Sequence, residues 1–89
     1  MKVLLVCYDL KAPHRNYAGL YKELEKAWAW WHYLGSCWLI RTKLSPEQWF
    51  KNLSPHMDQN DFMLVIEVKR DYHGWLPKKA WKWINENLQ

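Results

Sequence analysis

The chain has 89 residues, enough for one domain spanning 1–89, and a domain this small buries only about 60–65% of the surface its unfolded chain exposes. Thirteen Lys and Arg against nine Asp and Glu leave a formal charge of +4, which permits an anionic partner such as nucleic acid without requiring one. No segment approaches the roughly 20 consecutive apolar residues of a membrane span, and there is no P-loop, no GxGxxG and no zinc-ligand spacing. Eight Trp, five Tyr and two Phe are more aromatic mass than a core of this size needs. Some of it is therefore expected at a surface or between protomers.

Val3 to Tyr8 form a continuous Val- and Leu-rich run without Gly or Pro, the pattern of a strand buried on both faces. Only Lys2 precedes it, so no amino-terminal signal pattern is expected, and the protein is expected to be cytoplasmic. The run ends on Asp9 and a loop, Lys11 to Asn16. A carboxylate at the end of a buried strand is a common place for a site, although Asp9 can equally cap the turn or pair with Lys11 or Arg15.

Asn16 can cap a helix from Tyr17 to about Ala27, whose Tyr17, Leu20, Tyr21, Leu24 and Trp28 share one face. Gly19 costs this helix stability or marks a close approach by another backbone. The aromatic run Trp28 to Leu34 reads as a strand over 29–34, turning at Gly35-Ser36 into a second strand over 36–42; the competing reading extends the helix to Tyr33. Ser45-Pro46-Glu47-Gln48 is a helix start with a capping box, and Pro55 ends that helix. A polar turn leads to a strand over Phe62–Lys69. Asp71 to Leu76 form a loop, and Pro77 opens a terminal helix with Ala80, Trp81, Ile84 and Leu88 on one side.

The order strand, helix, strand, strand, helix, strand, helix predicts an α+β ferredoxin-like βαββαβ sandwich with an antiparallel sheet and an added C-terminal helix. Two helices would cover one face. The other face is also apolar and needs the terminal helix and a second protomer, so a homodimer through the sheet face is expected. Cys7 and Cys37, without CxxC spacing, read as two reduced core thiols.

Several short stretches carry a family likeness. The first strand ends in Tyr8-Asp9-Leu10, the third contains Ser36, and the fourth opens on Asn60-Asp61. Together they resemble the superfamily of the small ferredoxin-like CRISPR adaptation subunit and the VapD-type toxin ribonucleases. Trp31-His32-Tyr33-Leu34, Ser36-Cys37-Trp38-Leu39-Ile40, Asn60-Asp61 and Gly74-Trp75-Leu76 look most like the small bacterial and phage proteins of the SinR family. The resemblance implies a nucleic-acid-associated dimer in a defence, toxin or mobile-element setting. It also implies that Asp9 lies at the dimer interface, where two copies would bind a divalent metal. The family's Ser-Val-Phe-Glu strand maps onto Ser36, but Cys37-Trp38-Leu39 follow here and the family's Glu is absent.

A metal-dependent nuclease using Mg or Mn needs several hard oxygen ligands close together. One Asp9 per protomer supplies a weak site at most, and acting on RNA or DNA as an endonuclease is the alternative function. His32 is a candidate general base for metal-free RNA cleavage, set against a packing role among aromatics. His73 stands beside it as a second candidate, whereas His14 and His56 read as ordinary surface residues. Lys11 and Arg15 in the first loop, Lys69 and Arg70 closing the last strand, and Lys78 and Lys79 on the terminal helix interleave with Trp75. That mixture suits phosphate contact and base stacking on RNA or DNA. The competing reading packs Trp75 and Trp81 between helix and sheet and leaves the lysines solvated.

Overall fold

A computed structural model describes residues 1–88. Its elements are β1 (Lys2–Asp9), α1 (Ala18–Leu24), β2 (Ala29–Leu34), β3 (Cys37–Thr42), α2 (Pro46–Leu53), a single 3₁₀ turn (Ser54–His56), β4 (Phe62–Glu67) and α3 (Lys78–Asn87). The architecture is α+β, one four-stranded antiparallel sheet in the order β2-β3-β1-β4 with three helices. None of the helices is long and apolar enough to cross a membrane.

β1 occupies the middle of the sheet, paired with β3 from Lys2↔Thr42 to Cys7↔Cys37 and with β4 from Leu4↔Glu67 to Asp9↔Phe62. Strand alternation splits its apolar run between the two faces. Leu4, Val6 and Tyr8 join Trp38 and Ile40 of β3, Leu20 and Leu24 of α1, and Trp49 and Leu53 of α2 in one dry core. Val3 on the opposite face joins Trp31, Leu39 and the α3 residues Ala80 and Ile84, with Leu88 just beyond the helix, in a second core. Each fully buried Leu or Ile contributes about 1.5–3 kcal/mol of hydrophobic stabilisation.

Polar satisfaction in the first core is local. Trp38 donates its indole N–H to the Tyr8 hydroxyl (3.0 Å), and Trp49 donates to the Thr42 hydroxyl (2.8 Å). Burial pushes the Tyr8 phenol above its ordinary pKa, although the Trp38 hydrogen bond pulls the other way. α2 begins as its sequence demands: the Ser45 hydroxyl accepts from Gln48 N (3.1 Å), and the Gln48 side-chain oxygen accepts from Ser45 N (2.9 Å).

Several boundaries differ from expectation. α1 stops at Leu24 rather than Ala27. The amides of Lys26 and Ala27 bond back three residues to Glu23 and Leu24, and the Trp28 amide already donates to Arg41 in the sheet (3.1 Å). Entry into β2 thus ends the helix. The helix begins at Ala18, one residue later than expected, with Tyr17 at the boundary making no side-chain bond; the Asn16 side chain still accepts from Ala18 N (2.9 Å), the capping bond expected of it. Gly19 is approached by a side chain, not by a backbone, since a Cβ there would lie 2.6 Å from His56 Nδ1. His56 is thereby packed rather than free on the surface, with Nε2 3.9 Å from the Glu23 carboxylate. The aromatic run does form the hairpin β2–β3, with an irregularity between Trp31 and Leu34, and β3 begins one residue later than expected, at Cys37. β4 ends at Glu67 rather than Lys69.

Candidate functional site

The two ends of the sheet carry different chemistry. At the end where β1 finishes, the loop after Asp9 is fastened by a carboxylate from elsewhere in the chain. Asp61 accepts hydrogen bonds from Lys11 N (2.6 Å), from the Tyr17 hydroxyl (2.8 and 3.0 Å to its two oxygens) and from Asp58 N (2.8 Å). Burial raises the Asp61 pKa, but the hydrogen bonds from Lys11, Asp58 and Tyr17 and the charge of Arg15 outweigh it and hold the carboxyl below its ordinary range. Tyr17 is shifted the opposite way, by desolvation first and then by the Asp61 carboxylate it bonds to. Asp61 is a structural clamp joining the start of β4 to the first loop.

Asp9, the residue singled out for metal binding and catalysis, lies at this end but outside the clamp. Its carboxylate is 62% exposed and forms an ion pair with Lys11 at 2.9 Å. An exposed pair of this kind is worth ~0–1 kcal/mol. Among the described residues, no three His, Cys, Asp or Glu side chains converge as a metal site would require.

His32 is on β2 and stacks on Trp38 with ring centroids 4.2 Å apart and planes at 17°, and on Tyr21 at 6.4 Å. Its Nε2 is 3.2 Å from the Gly35 carbonyl oxygen, a contact that fixes the ring over the hairpin turn. Alternation along the strands places His32 on the face of Trp38 and Asp9 on the face of Cys7. The sheet therefore separates the two catalytic candidates, and they do not form one constellation.

The six residues singled out for nucleic-acid contact also divide. Lys11 and Arg15 belong to the Asp61-clamped end. Arg70 follows β4, which runs antiparallel to β1 and finishes opposite its start, so it lies at the other end of the sheet from Lys11 and Arg15. Asn87 and Leu88, at the far end of α3, line the cavity beside Arg70, which leaves Lys78 and Lys79 at the start of that helix about 13 Å along its axis. Arg70, Lys78 and Lys79 are exposed, as are Lys69 and His73. Within this segment Trp75 is 98% exposed. The packing role considered for Trp75 and Trp81 together belongs to Trp81 alone, which stacks on Tyr72 at 6.0 Å and packs against the second core.

The uncovered part of the second face completes the surface. α3 lies over Val3, Leu39 and Trp31, but along β4 Phe62 (67% exposed), Leu64 (58%) and Ile66 (47%) present alternate side chains to solvent on this side. Met63 and Val65 between them pack inward against the first core. Two features here had no local signal in the sequence: the clamping role of Asp61, a residue that stands out there only through the resemblance and whose clamp depends on a partner 50 residues away, and the apposition of Cys7 and Cys37, which only the β1–β3 register creates.

No protein-family model, curated protein or solved structure matches the chain. The reading of its function rests on its own residues.

Proposed function

We propose that this chain is a small single-strand nucleic-acid-binding protein of the ferredoxin-like class, related to the CRISPR adaptation subunit and SinR-type proteins, that works as a homodimer. The observation that carries the binding role is Trp75. A tryptophan with 98% of its surface in water, flanked along the chain by Lys69-Arg70 and Lys78-Lys79, has no packing partner to justify it. An exposed aromatic face on a basic segment suits the stacking of bases and contact with phosphates of single-stranded RNA or DNA.

The ferredoxin-like assignment is supported by strand direction. In the order β2-β3-β1-β4, β1 and β2 are parallel with β3 between them, and β3 and β4 are parallel with β1 between them. Each parallel pair is joined through a helix, α1 or α2, and both helices pack into one core, as in two interleaved split βαβ units. The dimer is supported by Phe62, Leu64 and Ile66. A β4 edge with a free row of backbone groups and three outward apolar side chains is a surface that a second copy would cover.

The test is fluorescence anisotropy with labelled oligo(dT) and oligo(U), wild type against Trp75→Ala, across a salt series. Loss of one stacked base is expected to weaken binding roughly 5- to 150-fold, on the basis of about 1–3 kcal/mol per base. Affinity should also fall steeply with salt. No binding to either strand, or equal binding by Trp75→Ala, overturns the proposal. Strand cleavage that requires Mg²⁺ or Mn²⁺, stops in EDTA and disappears in Asp9→Ala would replace it with the endonuclease reading.

A further inference from the structure

We infer that Cys7 and Cys37 are a modification site: a cross-strand dithiol that a low-molecular-weight disulfide of the glutathione class oxidises reversibly to an intramolecular disulfide between β1 and β3. Three observations carry this. The two residues are direct partners in the β1–β3 register. Their Sγ atoms are 2.8 Å apart, well inside the ~3.5–4.0 Å at which non-bonded heavy atoms rest. Both are half-buried in the protomer, on the sheet face opposite α1 and α2; Cys7 pairs with Leu64 of the proposed dimer surface, so a small reagent reaches the two thiols when the protomer is free.

The ladder supplies the geometric reason. The Tyr8 amide donates to the Ser36 carbonyl, which makes Tyr8 and Ser36 a hydrogen-bonded pair. Pairs alternate along an antiparallel ladder, so Cys7 and Cys37 form a non-hydrogen-bonded pair, the type in which Cα atoms approach to ~4.5 Å and side chains are closest. That separation sits at the short limit of the ~4.4–6.8 Å spanned by disulfides, so the bond can close without moving the strands apart. Both sulfurs are half-buried rather than sealed in a core, so a reducing thiol can reopen the bond by the same exchange.

Burial first, then hydrogen bonding and charge interaction with Cys37, push the Cys7 thiol up to about 12. Either thiol can open the exchange. Where Cys37 does, its thiolate attacks one sulfur of the oxidant RSSR; the S–S bond breaks, a Cys37–S–SR mixed disulfide forms, and RS⁻ departs carrying the electron pair. Cys7 then gives up its proton to solvent and attacks the Cys37 sulfur, displacing the second RS⁻. The two RS⁻ take up the two protons released by the thiols. In sum the two cysteines lose two electrons and RSSR gains them, becoming two RSH.

The test incubates the folded full chain with mixtures of reduced and oxidised glutathione and reads intact mass and free thiols. The expected product is a monomeric chain that has lost two hydrogen atoms, carries no glutathione, has no free thiol and returns to the starting mass when the ratio is reversed. Cys7→Ser, which leaves one thiol and nothing to resolve a mixed disulfide, is expected to stop as a single Cys37–glutathione adduct. Circular dichroism confirms that each sample is folded. A disulfide-linked dimer, stable adducts on both cysteines of the wild type, or a chain that stays reduced under conditions that oxidise an unstructured two-cysteine peptide would each overturn the inference. So would a disulfide that no excess of reduced glutathione reopens.

Discussion

The two faces of the sheet are built from the same strands and differ in how completely they are covered. On one, α1 and α2 bury Leu4, Val6, Trp38 and Ile40 together with Leu20, Leu24 and Leu53, and the buried indole donors of Trp38 and Trp49 have hydroxyl partners. On the other, the single helix α3 covers the side nearer β2, and β4 is left with Phe62, Leu64 and Ile66 in water. This second face is also less well satisfied, since the Trp31 indole N–H and the Arg41 Nε are buried there without a hydrogen-bond partner among the described residues. The contrast separates two roles for apolar side chains. The first face holds the fold together, and the second offers surface that only another molecule can bury.

The largest expected effect breaks the covered face. Leu53→Ala leaves a cavity in the buried cluster that also holds Trp49 and Leu24 and is expected to cost about 3 kcal/mol of stability, read as a shift in a urea unfolding curve.

A smaller effect concerns the clamp at the end of the sheet. Asp61→Ala removes a charged acceptor from three donors and is expected to cost about 2 kcal/mol. Because the folded carboxyl has a lower pKa than the ordinary 3.8, its contribution is present above that pH and disappears as pH falls through the folded value. Wild type should therefore lose stability on acidification through this range more steeply than Asp61→Ala. Parallel pH profiles for the two proteins would show that the carboxylate is not the clamp.

The smallest effect on stability belongs to the open face. Leu64→Lys with Ile66→Lys is expected to change the unfolding stability of the isolated protomer by less than about 0.5 kcal/mol, read at a concentration too low for dimers, because both side chains face water there. The same pair should shift the chain from dimer to monomer in sedimentation or light scattering. A large loss of stability with no change in mass would mean that these residues serve the protomer's own core and not a partner.

Much of the element order was legible from local rules. The Val3–Tyr8 run, the Ser45–Gln48 capping box, the Gly35-Ser36 turn and the Pro77 helix start each specify their own element within a few residues. The candidate site was harder to read. Asp9 and Asp61 are both acidic residues at strand ends, and nothing nearby in the chain distinguishes the one that pairs with Lys11 at the surface from the one that ties down the first loop. Trp75 and Trp81 are likewise six residues apart and similar in setting, yet one stacks on Tyr72 and the other stands free.

Periodicity, capping and turn chemistry act over a few residues, so the sequence by itself determined the strands, the helices and which side of each is apolar. The tertiary structure decided which of those apolar sides would find cover, that His32 and Asp9 would be separated by the sheet, and that Cys7 would meet Cys37. Those outcomes follow from strand register. A shift of one residue would exchange the faces of every side chain on a strand, and the pairing that selects one register joins residues 30 or more positions apart.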